Sequence, residues 1–181
     1  MPYPPGHMLW WLKKLAKNPA VIGSVAPSGP SLSNLMTRGI RPGMKVLELG
    51  PGSGAITGHI LKKLKDAAGL SLVEYDPDMA ALCRERFPGV TVHQGDAEKL
   101  LMQDAGYYDA IISGIPFAAM DKAKRQRIFG HVRDRLANGG TFVMFQYSVT
   151  TLNELKSVFR EVKTGFTPLN IPPAFVFFCK K

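Results

Sequence analysis

The residues with the clearest chemical potential are two acids and a set of glycines in the first half of the chain. Glu48 precedes Gly50, Gly52 and Gly54, and Glu74 follows the last glycine by about 20 residues. Glycines give the backbone freedom to turn and leave no side chain where a ligand would lie against the main chain. An acid at the later spacing can bind both hydroxyls of a ribose. The pattern therefore predicts a site for an adenosine cofactor.

The charge of Glu48 decides among three cofactors. A phosphate-binding P-loop is excluded because no lysine follows the glycines at the required spacing. Gly50-x-Gly52-x-x-Ala55 does match the dinucleotide fingerprint with alanine in third place, but an ionised Glu48 would repel a pyrophosphate. S-adenosylmethionine carries an ammonium, a sulfonium and no phosphate, so the acid favours it. The alternative is that Glu48 and Glu74 are solvated strand-end carboxylates.

The segment Glu48-x-Gly50-x-Gly52-x-Gly54 is similar to the first motif of the class I methyltransferases. The resemblance implies S-adenosylmethionine as the cofactor. It also implies that Asp96 accepts from the adenine amino group, with the backbone of Ala97 near the ring nitrogen. An N-cap role for Asp96 is the alternative and is compatible with the first. The cofactor-binding residues expected are Glu48, Gly50, Pro51, Gly52, Ser53, Gly54, Glu74, Tyr75, Asp76, Gly95, Asp96, Ala97, Ser113 and Ser28.

A second resemblance involves the segment Ser113-Gly-Ile-Pro-Phe117. Adenine N6 methyltransferases of nucleic acids carry Asn/Asp-Pro-Pro-Tyr/Phe here, and Ser113 replaces the Asn/Asp. The segment looks more like that of the bacterial phospholipid N-methyltransferases, which convert phosphatidylethanolamine to its mono-, di- and trimethyl forms. That resemblance spans nearly the whole chain, and its other motifs are the Trp/Lys-rich first helix, Val25-Ala-Pro-Ser28, Glu74-Tyr-Asp76, Gly95-Asp-Ala97, Phe145-Gln-Tyr147 and Asn170-Ile-Pro-Pro-Ala-Phe-Val176.

This resemblance implies an acceptor site at the end of the fourth strand. Carbonyl oxygens around Gly114 and Ile115 would hold the hydrogens of a neutral amine, beside Ser113. Tyr147 would contact the headgroup through its ring face as charge builds on the nitrogen, and a buried packing tyrosine is the alternative. The expected catalytic residues are Tyr147, Ser113, Gly114 and Ile115.

The hydrophobic pattern predicts the sheet that positions these residues. Strands are expected at 46–49, 70–75, 90–93, 108–113, 140–147, 162–166 and 174–179, the last two forming an antiparallel hairpin. Helices are expected from Ser31, as N-cap, to about 38, and at 55–65, 77–87, 122–136 and 151–160. The fold class is α/β: a Rossmann-like class I methyltransferase with a seven-stranded mixed sheet and helices on both faces. We expect this domain at 41–181, preceded by an extension at 1–40.

The extension has the composition of an amphipathic, membrane-surface helix. Apolar side chains fill one arc of the helical wheel, and residues 1–47 contain basic residues but no acid. The alternative is a helix that packs its apolar face on the domain. The same helix could do both. In the loop that follows, Pro27 and Ser28 would lie over the methionine end of the cofactor, or form a plain linker. The expected membrane-binding residues are Trp10, Trp11, Lys13, Lys14 and Lys17.

Composition limits the remaining classes. The chain has 181 residues, 45% hydrophobic residues and a net charge of +9, which predicts a polyanionic partner surface such as lipid headgroups or nucleic acid. It has no apolar run of about 18 residues and no signal-peptide pattern. Cys83 and Cys179 are isolated thiols without zinc-type spacing, so no metal is expected. We expect a cytoplasmic protein bound peripherally to the cytoplasmic membrane.

Three functions stay open at this point. The first is N-methylation of phosphatidylethanolamine and its methylated forms at an anionic membrane surface. The second is an rRNA adenine N6-methyltransferase-like enzyme; nucleic acid is disfavoured because the chain stops after the sheet, without an RNA-binding helical domain. The third is a membrane-binding module without turnover.

Overall fold

The apolar run after Lys45 forms an inner strand of a seven-stranded sheet in the computed structural model, which describes residues 28–181. Strand order is β3-β2-β1-β4-β5-β7-β6. The first five strands are parallel, and β7 is antiparallel to both of its neighbours. The strands are β1 (Val46–Leu49), β2 (Leu70–Glu74), β3 (Thr91–Gln94), β4 (Tyr108–Ser113), β5 (Leu136–Gln146), β6 (Glu161–Thr167) and β7 (Ala174–Lys180).

Helices cover both faces of the sheet and create two apolar cores. Leu32, Ile60 and Cys83 pack on one face, and Leu101 and Phe129 on the other. Alternate residues of β1 enter opposite cores, as expected for a strand that is buried on both sides. The helices are α1 (Pro30–Met36), α2 (Ala55–Leu64), α3 (Pro77–Arg86), α4 (Ala97–Gln103), α5 (Lys122–Arg135) and α6 (Leu152–Val158), with a short 3-10 helix at Phe117–Ala119.

The first described helix belongs to the core of the sheet domain. Leu32 and Met36 of α1 are fully buried, and Ile40 beyond it is also buried. A boundary at residue 40 would therefore divide this core. The prediction that Ser31 caps the helix was wrong: Gly29 is the N-cap, without a side-chain capping bond, and the helix starts at Pro30. Proline at the first helical position favours this start because its φ is already helical.

The fold class and the closing antiparallel hairpin predicted from the sequence are confirmed. Two elements differ. Strand β5 begins at Leu136 rather than at Gly140, because Leu136 is buried and pairs with Tyr108. A register shift before Ala110 accommodates the glycine-containing residues 137–140. No bounds were predicted for helix α4, although the N-cap alternative for Asp96 implies a helix that begins at the next residue.

Within residues 28–181, no helix is both long and apolar enough to span a bilayer. In the same part of the chain, no three His, Cys, Asp or Glu side chains are grouped closely enough to hold a metal ion. Pro27 lies outside the described residues. So do the expected membrane-binding residues, Trp10, Trp11, Lys13, Lys14 and Lys17.

Candidate active site

The turn after β1 has backbone angles that require glycine. Gly50, Gly52 and Gly54 have φ of 68°, 54° and 79°, in the left-handed region that other residues rarely adopt. A Cβ on Gly54 would lie 2.3 Å from the Phe87 ring, whereas a Cβ on Gly52 would meet nothing within 4 Å. Gly52 therefore borders open space that a side chain would fill, which is the form expected of a cofactor cradle.

Glu48 lies beneath this turn and is fully buried. Its Oε2 accepts a hydrogen bond of 2.7 Å from the Thr57 hydroxyl. Its Oε1 has no hydrogen-bond partner among the described residues. A buried oxygen of this kind costs free energy until a donor reaches it. The site therefore fits a cofactor that carries a hydrogen-bonding cation, as S-adenosylmethionine does.

The protonation of Glu48 corrects one premise of the sequence argument. Burial raises its pKa to about 8, the bond from Thr57 opposes this, and the nearby Glu74 adds to it. At pH 7 the neutral acid is thus the main form in the free protein. Repulsion of a pyrophosphate by a fixed negative charge is weaker than the sequence argument assumed, and a cationic ligand is favoured because it would stabilise the ionised form.

Glu74 connects the end of β2 to the glycine turn. Its Oε2 accepts from the Gly52 N–H and its Oε1 from the Asp76 N–H, both at 2.9 Å. Each carboxylate oxygen can accept a second bond, so the predicted contacts to ribose hydroxyls stay available. Asp76 also caps α3 through Oδ1, while the Tyr75 side chain is exposed. The carboxylate and the turn are thus held in one arrangement.

Asp96 is the N-cap of α4, as the alternative interpretation predicted. Its Oδ1 accepts from the N–H groups of Glu98 and Lys99, and its Oδ2 accepts from Lys124 Nζ at 2.8 Å. Burial alone would raise the pKa of Asp96, but these bonds together hold it below its usual range. An adenine amino group at this carboxylate would share Oδ2 with Lys124. Gly95 donates its N–H to the Glu74 carbonyl, which brings the ends of β2 and β3 together at the start of α4.

The segment that follows β4 lies directly against the glycine turn. The Gly114 N–H donates to the Leu49 carbonyl at 2.9 Å. A Cβ on Gly114 would be 2.7 Å from the Gly50 carbonyl oxygen. Ser113 is buried, and its hydroxyl accepts from the Ile115 N–H at 3.2 Å. The expected acceptor segment and the expected cofactor segment are therefore adjacent.

The prediction for the Ile115 carbonyl needs correction. That oxygen already accepts from the Phe117 N–H at 2.9 Å and from Gln146 Nε2 at 3.0 Å. A carbonyl has two lone pairs, so it has no capacity left for a substrate amine. Gln146 Oε1 also accepts from the Ala118 N–H at 3.0 Å, so one buried amide binds the segment at two points. The carbonyl of Gly114 is then the expected acceptor of amine hydrogens.

Tyr147 follows Gln146 at the end of β5 and is half-buried. Its ring packs edge-on against Phe145, with 5.7 Å between centroids. Burial raises the pKa of the Tyr147 hydroxyl, and a hydrogen bond from the Asn170 side chain partly opposes this. The tyrosine thus has packing partners, and it lies at the same edge of the sheet as Gly114. A headgroup contact stays a prediction.

A largely buried ion pair between α5 and α6 supports the segment that follows β4. Arg125 of α5 binds Glu154 of α6 through two bonds, of 2.7 Å from Nε and 2.5 Å from Nη2. Its Nη1 donates to the carbonyls of Phe117 and Met120 at 2.9 and 3.1 Å. The guanidinium therefore fixes the 3-10 helix that follows the expected acceptor segment.

Ser28, the first described residue, lies at the same edge of the sheet. The next residue, Gly29, donates its N–H to Asn170 Oδ1 at 3.1 Å, in the loop between β6 and β7. The Ser28 carbonyl accepts from the Ser33 hydroxyl at 3.4 Å. Its predicted contact with the methionine end of the cofactor stays a prediction.

Sequence reasoning missed four polar residues that organise the site: Thr57, Lys124, Arg125 and Gln146. For Gln146 a signal was available, because it is a single polar residue at the end of the apolar run 142–145. For the other three, each partner comes from a different element of the fold. Residue type and spacing do not identify such pairs.

Comparison with known proteins defines the class and the family. Residues 46–140 match the model of a methyltransferase domain. The chain is also 34% identical over 180 residues to an ornithine lipid N-methyltransferase from Singulisphaera acidiphila, with 94% of each chain covered. The fold and the site are therefore those of a class I methyltransferase. The chain belongs to the S-adenosylmethionine-dependent methyltransferases, and the predicted cofactor is confirmed.

Other similarities are shorter or concern the fold alone. The ribosomal RNA small subunit methyltransferase A of a Synechococcus strain is 40% identical over 81 residues, which cover 40% of this chain and 28% of that protein. The N-methyltransferase NodS from Bradyrhizobium japonicum, solved with S-adenosyl-L-homocysteine, has a TM-score of 0.68 at 15% identity over 82% of each chain. A TehB-like methyltransferase from Corynebacterium glutamicum has a TM-score of 0.67 at 18% identity, with 98% of this chain and 100% of that chain covered.

Proposed function

We propose that this protein transfers methyl groups from S-adenosylmethionine to the amine nitrogen of a membrane-lipid headgroup. One observation carries the proposal: the similarity to an ornithine lipid N-methyltransferase extends over 94% of both chains. It therefore includes the acceptor side of the site as well as the glycine turn, which class I enzymes have in common.

Two lipids are the acceptors to test. The segment Ser113-Gly-Ile-Pro-Phe117 resembles that of enzymes acting on phosphatidylethanolamine and its mono- and dimethyl forms. The relative from Singulisphaera is named for ornithine lipid. Both lipids present a primary amine on a headgroup that is attached to apolar chains, so one site chemistry serves either.

The chemistry requires mainly positioning from the chain. S-adenosylmethionine supplies a methyl group that its sulfonium already activates. Glu48, the glycine turn and Glu74 would hold the cofactor. The Gly114 carbonyl would accept hydrogens of the neutral amine and orient its lone pair. The buried Ser113 hydroxyl accepts from the Ile115 N–H, which leaves its O–H and one lone pair for another partner. The ammonium proton of the free lipid would leave to water before transfer. Holding the two reactants in line supplies most of the rate.

A vesicle assay tests the proposal. Phosphatidylglycerol vesicles that contain either phosphatidylethanolamine or an ornithine lipid are incubated with the protein and methyl-labelled S-adenosylmethionine. We expect successive methyl additions on at least one of the two lipids by mass analysis. Glu48→Ala should abolish transfer, whereas Glu85→Ala, a change at an exposed acid of α3, should not. Absence of label in both lipids would contradict the proposal.

A second candidate is methylation of adenine in RNA. The match to a ribosomal RNA methyltransferase and the net charge of +9 favour it. That match covers only 28% of the RNA enzyme. Label in digested RNA, lost steeply as salt rises, together with unlabelled lipid, would support this candidate over the first.

A further inference from the structure

An uncharged corner of the protein lies at the edge of the sheet that carries the expected acceptor site. Three segments meet there, and none contains Asp, Glu, Lys, Arg or His: residues 28–37, 147–153 and 164–179. Gly29 binds Asn170, and the Ser31 and Thr167 hydroxyls lie 3.0 Å apart. Tyr147 packs against the core cluster that includes Ala174 and Val176, and the preceding residue, Gln146, pairs with Phe175 of β7. The corner is thus continuous with the end of β5.

The loop at residues 168–173, called the apolar loop here, presents two large side chains to solvent. Leu169 is 80% exposed and Ile171 is 84% exposed, while Asn170 between them is 4% exposed. The Asn170 side chain accepts from the Gly29 N–H and donates to the Pro172 carbonyl at 2.7 Å. The buried amide therefore anchors the loop and fixes both apolar side chains outward.

The backbone of the apolar loop is suited to an apolar environment. Three of its six residues are prolines, which have no N–H group to leave unpaired: Pro168, Pro172 and Pro173. Burying an unpaired N–H costs free energy, and burying a charge costs more. Because the loop has no charge and few free backbone donors, its transfer from water to an apolar environment costs little free energy.

We propose that the apolar loop inserts into the interfacial region of a lipid bilayer, through Leu169 and Ile171, and thereby sets the acceptor site at the membrane surface. This inference rests on the proposed function, because a lipid acceptor must reach Gly114 from a bilayer. Charge supports a membrane as the occupant: the chain before Gly29 contains three lysines, Lys13, Lys14 and Lys17, and no acid, and it joins the uncharged corner at Gly29. Anionic headgroups would bind those cations while apolar side chains enter below.

A second copy of the chain is a poorer occupant. A stable protein interface buries about 800 Å² per partner. The exposed large hydrophobic side chains of the three segments are Leu169, Ile171, Val149 and Phe166, far fewer than the roughly 20–30 residues per side of such an interface. Insertion into a bilayer needs no matching surface, so two protruding side chains are sufficient for it.

Site-specific labels test the insertion directly. Leu169→Cys and Ile171→Cys are each labelled in the full chain with a polarity-sensitive fluorophore. The native Cys83 and Cys179 are buried and should not react. Vesicles of phosphatidylglycerol and phosphatidylethanolamine that carry nitroxides on the acyl chains are then added. We expect blue-shifted emission and quenching at both sites, and neither at Met102→Cys, a matched exposed apolar position on α4.

Three results would overturn the inference. The first is quenching at position 171 no stronger than at position 102. The second is a spectral shift that needs no vesicles and grows with protein concentration, which would identify a second copy as the occupant. The third is emission that is already blue-shifted at all concentrations and unchanged by vesicles, which would mean that residues of the same chain cover the loop.

An activity comparison separates this inference from the proposed function. The double variant Leu169→Ser/Ile171→Ser should lose about tenfold or more of its transfer to vesicle lipid, with Met102→Ser as the control. Transfer to a short-chain, monomeric aminolipid should stay within about twofold, since no bilayer is involved. Equal losses on both acceptors would overturn the membrane role. If no lipid is methylated by the unaltered protein, the proposed function fails, while the quenching experiment still decides whether the loop inserts.

Discussion

Gln146 Nε2 donates a hydrogen bond of 3.0 Å to the Ile115 carbonyl, which joins the end of β5 to the segment after β4. The same amide accepts from Ala118 at 3.0 Å. Because Gly114, the expected acceptor of the substrate amine, precedes Ile115, the position of its carbonyl depends on a side chain that comes 31 residues after Ile115 in the chain. Gln146 is therefore a positioning residue.

Gln146→Glu should lower kcat by about 100-fold, because a carboxylate still accepts from Ala118 but cannot donate to Ile115. Affinity for S-adenosylmethionine, measured by calorimetry, should change less than twofold, since the glycine turn is untouched. Gln126→Glu, the same change at an exposed position of α5, serves as the control. A Gln146→Glu enzyme with unaltered kcat, or with kcat and cofactor affinity reduced together, would contradict the assignment.

Glu48 should make the cofactor-free protein less stable as pH rises from about 4.5 to 8. Its folded pKa of about 8 lies above the usual value of 4.5, so in this range the unfolded state binds fewer protons than the folded state. Stability then falls with rising pH, by at most about 1.4 kcal/mol per unit. Glu48→Gln imitates the neutral acid and can still accept from Thr57.

The measurement is the difference in Tm between Glu48→Gln and the unaltered protein, taken at several pH values. We expect the variant to gain relative stability from pH 5 to pH 8. Glu85→Gln should give a constant difference. A constant difference for Glu48→Gln as well would mean that the carboxyl ionises normally in the folded protein.

Binding of S-adenosylmethionine should release close to one proton at pH 7, because a cation beside Glu48 lowers the pKa of that acid from about 8. Calorimetry in buffers with different ionisation enthalpies measures the release. Glu48→Gln should bind without it. S-adenosylhomocysteine keeps the ammonium but not the sulfonium, so the same release with this compound would assign the effect to the ammonium. Equal proton release by the variant would refute the coupling.

Replacing only one member of the Arg125–Glu154 ion pair should destabilise the protein. Arg125→Ala leaves a largely buried carboxylate and two carbonyls without their donor, and the free energy of unfolding should fall by about 3 kcal/mol. Arg125→Met with Glu154→Leu should recover much of that loss, because no unpaired charge is left. Denaturant unfolding of Arg125→Met, Glu154→Leu and the double variant measures the coupling. Additive losses would show that the two side chains act independently.

The sequence was sufficient for the sheet and for the glycine turn, because both depend on local signals. Apolar runs define strands, and Gly50, Gly52 and Gly54 occupy angles that glycine favours. The partners of the polar residues could not be predicted: Glu48 meets Thr57 nine residues later, and Asp96 meets Lys124 28 residues later. Only the packing of helices on the sheet decides such pairs. The raised pKa of Glu48 is likewise a result of burial, which residue type does not reveal.

The contact between Gly114 and the Gly50 carbonyl limits how the enzyme could be re-engineered. Any side chain at position 114 would begin 2.7 Å from a backbone oxygen, and a proline there would also lose the N–H that binds Leu49. A loop grafted from a methyltransferase with another acceptor would therefore not be accepted alone. The turn after β1 would have to be exchanged together with that loop. Changing the acceptor specificity of this scaffold therefore requires replacing both segments.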